Sequence, residues 1–177
     1  MKTTASLILF FISINIFTQS NRIHSISLNV GLIIPVEKLS GIMNSGYNAG
    51  LDIETRKNNF AVFAAGKLNI VKNKLTVIEF EYYYNEKKWE RTIGEITAGG
   101  RWYLGDSKPF SANVDLAISI YTGNFFQKIP WGFQPGIGGN FNITKKLSAN
   151  LNMKANVIEG EDWVTYLGFY SGVRYSF

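Results

Sequence analysis

The sequence has 177 residues, of which 46% are hydrophobic and 15% aromatic, and it contains no cysteine. This length fits a single domain, and the lack of cysteine excludes a disulfide framework, a zinc–thiolate site and a thiol nucleophile. The net charge of +5 is mild, and most lysines lie in apparent turns, so the charge gives no support to a nucleic-acid partner.

The first twenty residues have the pattern of a secretory signal peptide. Lys2 supplies a positive start, residues 5–17 form an apolar run, and residues 18–20 supply small side chains for a cleavage site. The apolar run is shorter than the roughly 20 residues that a helix needs to span a bilayer. We therefore predict a signal peptide over residues 1–20 and one domain over residues 21–177.

Alternation of polar and apolar residues with a period of two runs through almost the whole chain after residue 24. Helical periodicity appears nowhere after the signal, so the sequence predicts an all-β protein. In chain order, the apolar positions of the nine alternating segments begin at Ile26, Tyr47, Phe60, Ile78, Ile96, Phe110, Phe133, Leu147 and Leu167.

Charged and aromatic positions in these segments favour a membrane barrel. Six acidic and six basic residues lie in the segments, and all of them fall on the polar parity. The apolar parity is aliphatic with aromatic edges, which is typical of the two interfaces of a membrane barrel. A soluble, lipocalin-like barrel with its apolar face inward is the alternative. The aromatic residues are Trp102, Tyr175 and Phe177 at one predicted rim, and Tyr82, Tyr84, Trp131, Phe133 and Trp163 at the other.

The last segment ends on an aromatic residue, Phe177, with Tyr175 two positions earlier. With the signal and the alternation, this ending resembles the small outer-membrane β-barrel family of Gram-negative bacteria, the OmpA/OmpX-type barrels. The resemblance implies an antiparallel up-and-down transmembrane barrel in the outer membrane, in contact with lipid and lipopolysaccharide. It also implies that the barrel-assembly machinery recognises Val173, Tyr175 and Phe177.

Nine segments cannot all span, because a single-chain bacterial barrel has an even number of strands. Residues 66–70, 99–104, 139–143 and 172–177 share one pattern, and we interpret all four as strands that descend to the periplasm. That repeat favours removing one of the first two segments. A long first external loop at residues 35–45 favours removing residues 72–84 instead. We predict eight strands, with ten as the alternative.

Inward polar side chains are predicted to pair with one another and close the lumen. The interior of an eight-stranded barrel is just wide enough for side chains to fill, and buried charges require partners. A cation path lined by Glu79 and Glu81, which would make the barrel a narrow porin-like channel, is the alternative. The predicted ion-pair lattice consists of Lys67, Glu79, Glu81, Glu95, Arg101, Asp115, Lys154 and Arg174.

Residue types for catalysis and metal binding are scarce. The single histidine, His24, lies at the predicted periplasmic edge, so the sequence predicts no catalytic Ser-His-acid arrangement. Without cysteine or clustered histidine, it also predicts no metal site. We expect a protein that is not an enzyme and that carries no cofactor.

Residues 123–131 form an unusually apolar segment that contains Phe125, Phe126 and Trp131. If the segment is extracellular, these residues could contact a ligand of unknown identity, or they could rest on the rim of the barrel. Three functional hypotheses follow. They are a structural or surface-interaction barrel, a narrow channel, and a soluble periplasmic ligand-binding barrel.

Overall fold

The alternating segments form strands that close on themselves. The computed structural model describes residues 22–72, 90–105, 109–123, 129–159 and 163–177. Within these ranges each strand pairs antiparallel with its sequence neighbours, and the first strand pairs with the last. The prediction of an all-β, up-and-down barrel of eight strands is therefore confirmed. The elements are β1 (Ile23–Val36), α1 (Glu37–Ile42), β2 (Gly46–Lys57), β3 (Phe60–Lys72), β4 (Glu90–Leu104), β5 (Phe110–Gly123), β6 (Trp131–Asn142), β7 (Leu147–Ile158) and β8 (Val164–Ser176).

The barrel has its polar face inside and its apolar face outside. Lys67, Asn69 and Glu95 are 6% exposed or less, whereas Leu116 and Leu151 on outward positions are more than 60% exposed. A barrel in water requires the opposite arrangement, because exposing apolar side chains to water is costly. The exterior therefore has the character of a surface in contact with hydrocarbon, as in transmembrane barrels.

The two ends of the barrel differ in the length of their connections. At the short-turn end, residues 58–59, 105–109 and 143–146 connect consecutive strands, and β1 begins and β8 ends there. The strands that end or begin at the other, long-connection end are separated along the chain by residues 37–45, 73–89, 124–130 and 159–163. In transmembrane barrels the short turns face the periplasm and the longer loops face outward.

Local residues explain two of the short turns. Asn58 adopts a positive φ of 54° between β2 and β3, a conformation that asparagine tolerates better than most residues. In the β6–β7 turn, Thr144 Oγ1 accepts hydrogen bonds from the backbone nitrogens of Lys146 (3.2 Å) and Leu147 (2.9 Å). Each of these two turns reverses the chain within a few residues, so β2 pairs antiparallel with β3, and β6 with β7.

The structure corrects the interpretation of strand direction. β3 runs antiparallel to β4, so residues 66–70 and 99–104 run in opposite directions, and the common descent of all four repeats is wrong for residues 66–70. The repeat records a polar-in, apolar-out pattern, which does not depend on strand direction. Of the two alternatives left open for the surplus segment, removing one of the first two is excluded, since both are strands of the barrel. The segment at residues 78–84 lies outside the described residues.

Aromatic side chains lie on the outer surface near both ends. At the long-connection end, Trp163 packs edge-on against Trp131 and Phe133, with ring centroids 6.0 and 6.4 Å apart. Tyr82 and Tyr84 lie outside the described residues. The short-turn rim carries Phe60, Trp102, Phe110, Phe141, Tyr175 and Phe177, all 44% exposed or more.

Candidate functional site in the barrel lumen

An apolar cluster fills the lumen at the long-connection end, and we call it the apolar plug. The short helix α1, which the sequence pattern did not indicate, lies in this mouth. Its Leu39 is 5% exposed, and its carbonyl oxygen accepts a hydrogen bond of 2.9 Å from the Met43 nitrogen. Asn44 N in turn donates to Lys72 O at 2.8 Å, which ties the segment to β3. The plug consists of Ile33, Leu39, Met43, Val71, Ile93, Tyr121, Ile158 and Tyr166.

Glu95 is the centre of a polar network beneath the plug, which we call the Glu95 network. Both oxygens of its carboxylate accept hydrogen bonds, and Glu95 is 1% exposed. A carboxylate so deep in a protein is tolerated only when it is paired and hydrogen-bonded. The donors are Lys67 Nζ (2.5 Å), Thr97 Oγ1 (2.9 Å) and Gln134 Nε2 (2.7 Å) to Oε1, and Asn69 Nδ2 (3.2 Å) and the Tyr166 hydroxyl (2.7 Å) to Oε2.

Arg101 is the centre of a second network nearer the short-turn end, which we call the Arg101 network. Its Nε and Nη2 donate to the two oxygens of Asp115 at 2.7 and 2.8 Å, and its Nη1 donates to Glu54 Oε2 at 2.5 Å. Lys154 Nζ lies 3.3 Å from Asp115 Oδ2. Bidentate pairing of this kind fixes the geometry as well as the charge.

Glu54 extends the Arg101 network to two further strands. Its Oε1 accepts hydrogen bonds from the Tyr103 hydroxyl at 2.6 Å and from Arg174 Nη1 at 3.3 Å. Arg174 Nη1 also donates to the Tyr103 hydroxyl, and its Nε donates to Ser27 Oγ at 3.1 Å. The network therefore joins β1, β2, β4, β5, β7 and β8.

Some of these contacts cross the full width of the barrel. β4 and β8 are opposite walls of the eight-stranded ring, since three strands separate them on either side. Tyr166 on β8 reaches Glu95 on β4 in the Glu95 network. Arg174 on β8 reaches Tyr103 on β4 in the Arg101 network. Side chains thus meet in the middle of the lumen at two heights.

Buried charge is balanced in the lumen. Among the described residues, four carboxylates and four cationic side chains are 6% exposed or less, so their formal charges cancel. Aromatic rings lie beside some of the cations: Lys67 Nζ is 4.6 Å from the Tyr170 centroid, and Lys154 Nζ is 4.6 Å from that of Phe63. The eight are Asp52, Glu54, Glu95 and Asp115, and Lys67, Arg101, Lys154 and Arg174.

Six of the eight residues named for the ion-pair lattice lie in these networks, namely Lys67, Glu95, Arg101, Asp115, Lys154 and Arg174. Glu79 and Glu81 lie outside the described residues. Glu54 has the polar parity of its segment and binds two arginines, but it is not among the residues predicted for the lattice. Nor are Tyr103 and Tyr166, the tyrosines that complete the two networks.

The other predicted positions lie at the ends of the barrel. Trp131 is the first residue of β6 and is exposed, whereas Phe125 and Phe126 lie outside the described residues. Val173, Tyr175 and Phe177 point outward at the end of the chain. His24 is at the short-turn end, where its Nδ1 lies 3.0 Å from Thr55 Oγ1.

In the described part of the chain, no helix is long and apolar enough to cross a membrane. Nor does that part bring together three or more side chains of the types that hold metals. The expectations of no enzyme activity, no metal and no cofactor stay predictions.

The chain is similar in structure to several solved outer-membrane barrels. Neisserial surface protein A matches with a TM-score of 0.63 and 14% sequence identity, over 89% of this chain and 100% of that one. OprG from Pseudomonas aeruginosa matches with a TM-score of 0.57 and 12% identity, over 90% and 97% of the two chains. Ail from Yersinia pestis, solved in complex with the heparin analogue sucrose octasulfate, matches with a TM-score of 0.53 and 14% sequence identity. The match covers 89% of this chain and 99% of that one.

No protein-family model matches the sequence, and no curated protein matches it either. At such low identity the structural likeness concerns the fold and leaves the activity open. The chain has the fold of the small eight-stranded outer-membrane β-barrels.

Proposed function

We propose that the protein is a barrel of the bacterial outer membrane with a structural or surface-interaction role, and that its lumen is closed to solutes. The observation that carries the proposal is the contact between opposite walls, where Tyr166 on β8 donates to Glu95 on β4 at 2.7 Å. Residues 1–20, which we propose as a cleaved signal peptide, would direct its export.

The exterior supports the membrane location. Aliphatic side chains cover the middle of the outer face and aromatic ones lie at both ends, as expected where a barrel meets hydrocarbon and two interfaces. Outer-membrane lipid and lipopolysaccharide are therefore the proposed surroundings. A soluble ligand-binding barrel receives no support from a face on which Leu28, Leu116 and Leu151 are more than 60% exposed.

Three successive layers support the closed lumen. A solute that entered from the long-connection end would meet the apolar plug, then the Glu95 network and then the Arg101 network. To pass, it would have to separate buried ion pairs, and leaving one member of such a pair uncompensated costs about 3–5 kcal/mol. The formal charges of the eight buried residues cancel, so together they carry no net charge that would attract ions of one sign.

Planar-bilayer recording tests the closure. We expect purified, refolded barrel to give no stable single-channel steps in symmetric salt, while a porin added to the same bilayers verifies that channels are detected. Stable steps from the barrel at neutral pH would contradict the closed lumen and would favour the second candidate, a narrow channel.

One observation favours that second candidate. Within the described part of the chain, both side-chain polar atoms of Asn48, Asn113, Asn140 and Asn150 have no hydrogen-bond partner, although these residues are 5% exposed or less. Asn48 is on β2, and the other three belong to the adjacent strands β5, β6 and β7. Buried amides of this kind are usually satisfied by water, so this wall is the place where a narrow path would run.

A surface-interaction role would belong to the long-connection end, where we propose Phe125, Phe126 and Trp131 as a contact surface. Ail, which has this fold, was solved in complex with the heparin analogue sucrose octasulfate. We expect a Phe125→Ser/Phe126→Ser variant to keep the stability of the barrel and to reduce adhesion of producing cells to polystyrene. Lost stability with unchanged adhesion would instead assign both residues to the barrel rim.

A further inference from the structure

Below the Arg101 network, the lumen widens into an open cavity of about 780 Å³ at the short-turn end. Glu54, Tyr103 and Arg174, which line the cavity, also belong to the network, so the network forms the inner end of the cavity. The volume lies within the range of roughly 300–1,000 Å³ that is common for small-molecule sites. The cavity is thus of ligand size.

The described residues that line this cavity carry more cationic than anionic side chains. The cationic ones are Arg56, Lys145 and Arg174, with one carboxylate, that of Glu54. Both oxygens of Glu54 already accept hydrogen bonds, one from Arg101 and the other from Tyr103 and Arg174. Arg56 and Lys145 are the described cationic side chains of the lining that lie outside the Arg101 network.

Arg56 is held in place beside the cavity. Its guanidinium carbon lies 4.0 Å from the centroid of the Tyr103 ring, and its Nε donates to Asn58 O at 2.6 Å. These contacts fix the plane of the guanidinium group at the wall. A guanidinium group held in this way loses less side-chain entropy when it binds an anion.

A second and independent observation comes from the amide of Asn140, which lines the same cavity. Asn140 is 3% exposed, and neither its Oδ1 nor its Nδ2 has a hydrogen-bond partner among the described residues. The hydroxyl-bearing residues Ser111 and Ser148 line the cavity on the two neighbouring strands. A ligand that carries oxygen acceptors and hydroxyl donors would satisfy this wall.

We infer that the cavity binds a small polyanion bearing phosphate or carboxylate groups, which enters from the short-turn end. Arg56 and Lys145 bind its anionic oxygens by charge-assisted hydrogen bonds, and Asn140 binds a neutral polar group further in. The network beyond the cavity ends the path, so the ligand is held and does not cross. That the ligand does not cross rests on the proposed closure of the lumen, whereas its binding does not depend on the surface-interaction role.

Calorimetric titration of the refolded barrel in a non-ionic detergent tests this inference with two probes, inorganic pyrophosphate and citrate. We expect saturable binding with one site per barrel, and no binding of the uncharged control sucrose. Arg56→Gln and Lys145→Gln should each weaken the affinity about tenfold, because each removes a charge-assisted hydrogen bond. Comparing the two probes separates a phosphate site from a carboxylate site.

The chain offers matched controls for both substitutions. Lys57 and Lys146 are the sequence neighbours of Arg56 and Lys145, but neither lines the cavity. Lys57→Gln and Lys146→Gln should leave the affinity within twofold of the wild type. The inference is overturned if neither probe binds the wild type at millimolar concentrations, or if the control variants lose as much affinity as the cavity variants. Lys145 is exposed in a turn, so at least one cavity variant should fold, and heat-modifiable gel mobility verifies this.

Discussion

Arg101 shows how a single residue organises the lumen. All three of its guanidinium nitrogens donate to carboxylates on two different strands, and the side chain is 0% exposed. Lysine could not reproduce this, because an ammonium group is a point charge without the planar fork that binds a carboxylate through two bonds. The guanidinium carbon also lies 4.9 Å from the centroid of the Phe63 ring, which packs beside it. The position is therefore specific for arginine.

Replacing Arg101 with methionine should lower the free energy of unfolding by about 3–5 kcal/mol, because Asp115 and Glu54 are left as buried charges without their main partner. Urea titration in lipid vesicles, followed by tryptophan fluorescence, measures the change. The double variant Arg101→Met/Asp115→Asn should lose less than the sum of the two single variants, since each already removes the shared interaction. Lys146→Met, in an exposed turn, is the control and should change the stability by less than about 0.5 kcal/mol. Additive losses would contradict a coupled pair.

At the scale of the strand, β8 closes the barrel by pairing with β1. Val173 is the register partner of Leu28, and Tyr175 is that of Ile26. Beyond the strand, the Phe177 nitrogen donates to His24 O at 2.9 Å, and the two rings stack with centroids 6.1 Å apart. The terminal aromatic residue thus extends the β1–β8 pairing to the last residue of the chain.

Deleting Phe177 should reduce the yield of folded barrel in the outer membrane several-fold while export to the periplasm continues. The deletion removes both the proposed recognition residue and the last backbone hydrogen bonds to β1. Membrane fractionation and heat-modifiable mobility measure the yield. Phe177→Leu should reduce it more than Phe141→Leu, which makes the same change on an outward position of the same rim. A normal yield from the deletion variant would contradict the proposed assembly role.

Strands could be predicted from this sequence because side-chain alternation is a local property that each segment carries by itself. The direction in which residues 66–70 run through the barrel could not be predicted, because strands of either direction show the same outward apolar pattern. The helix α1 has six residues, which is less than two turns, so its periodicity is too short to detect. The pairing of Glu54 with Arg101 joins strands that are two places apart, and it depends on the barrel register, which no local pattern contains.

The whole molecule reverses the usual order of a soluble protein, with charged groups inside and aliphatic groups outside. The inward charges are tolerated because they cancel and because seven of the eight lie in the Glu95 and Arg101 networks. The outward leucines and isoleucines are favourable only if hydrocarbon, rather than water, surrounds them. Stability of the isolated barrel should therefore depend on where along the outer face an apolar residue is replaced.

The same substitution at two depths tests this dependence. Leu116 lies outward in the middle of β5, and Leu104 lies outward at the end of β4 near the short-turn rim. In lipid vesicles, Leu116→Arg should lower the free energy of unfolding by about 2–4 kcal/mol and Leu104→Arg by only about 0–1 kcal/mol, because the cost of a buried cation falls toward the interface. Urea titration of both variants measures the difference. Equal effects at the two positions would contradict a membrane-embedded band, because a barrel surrounded by water has no depth along its outer surface.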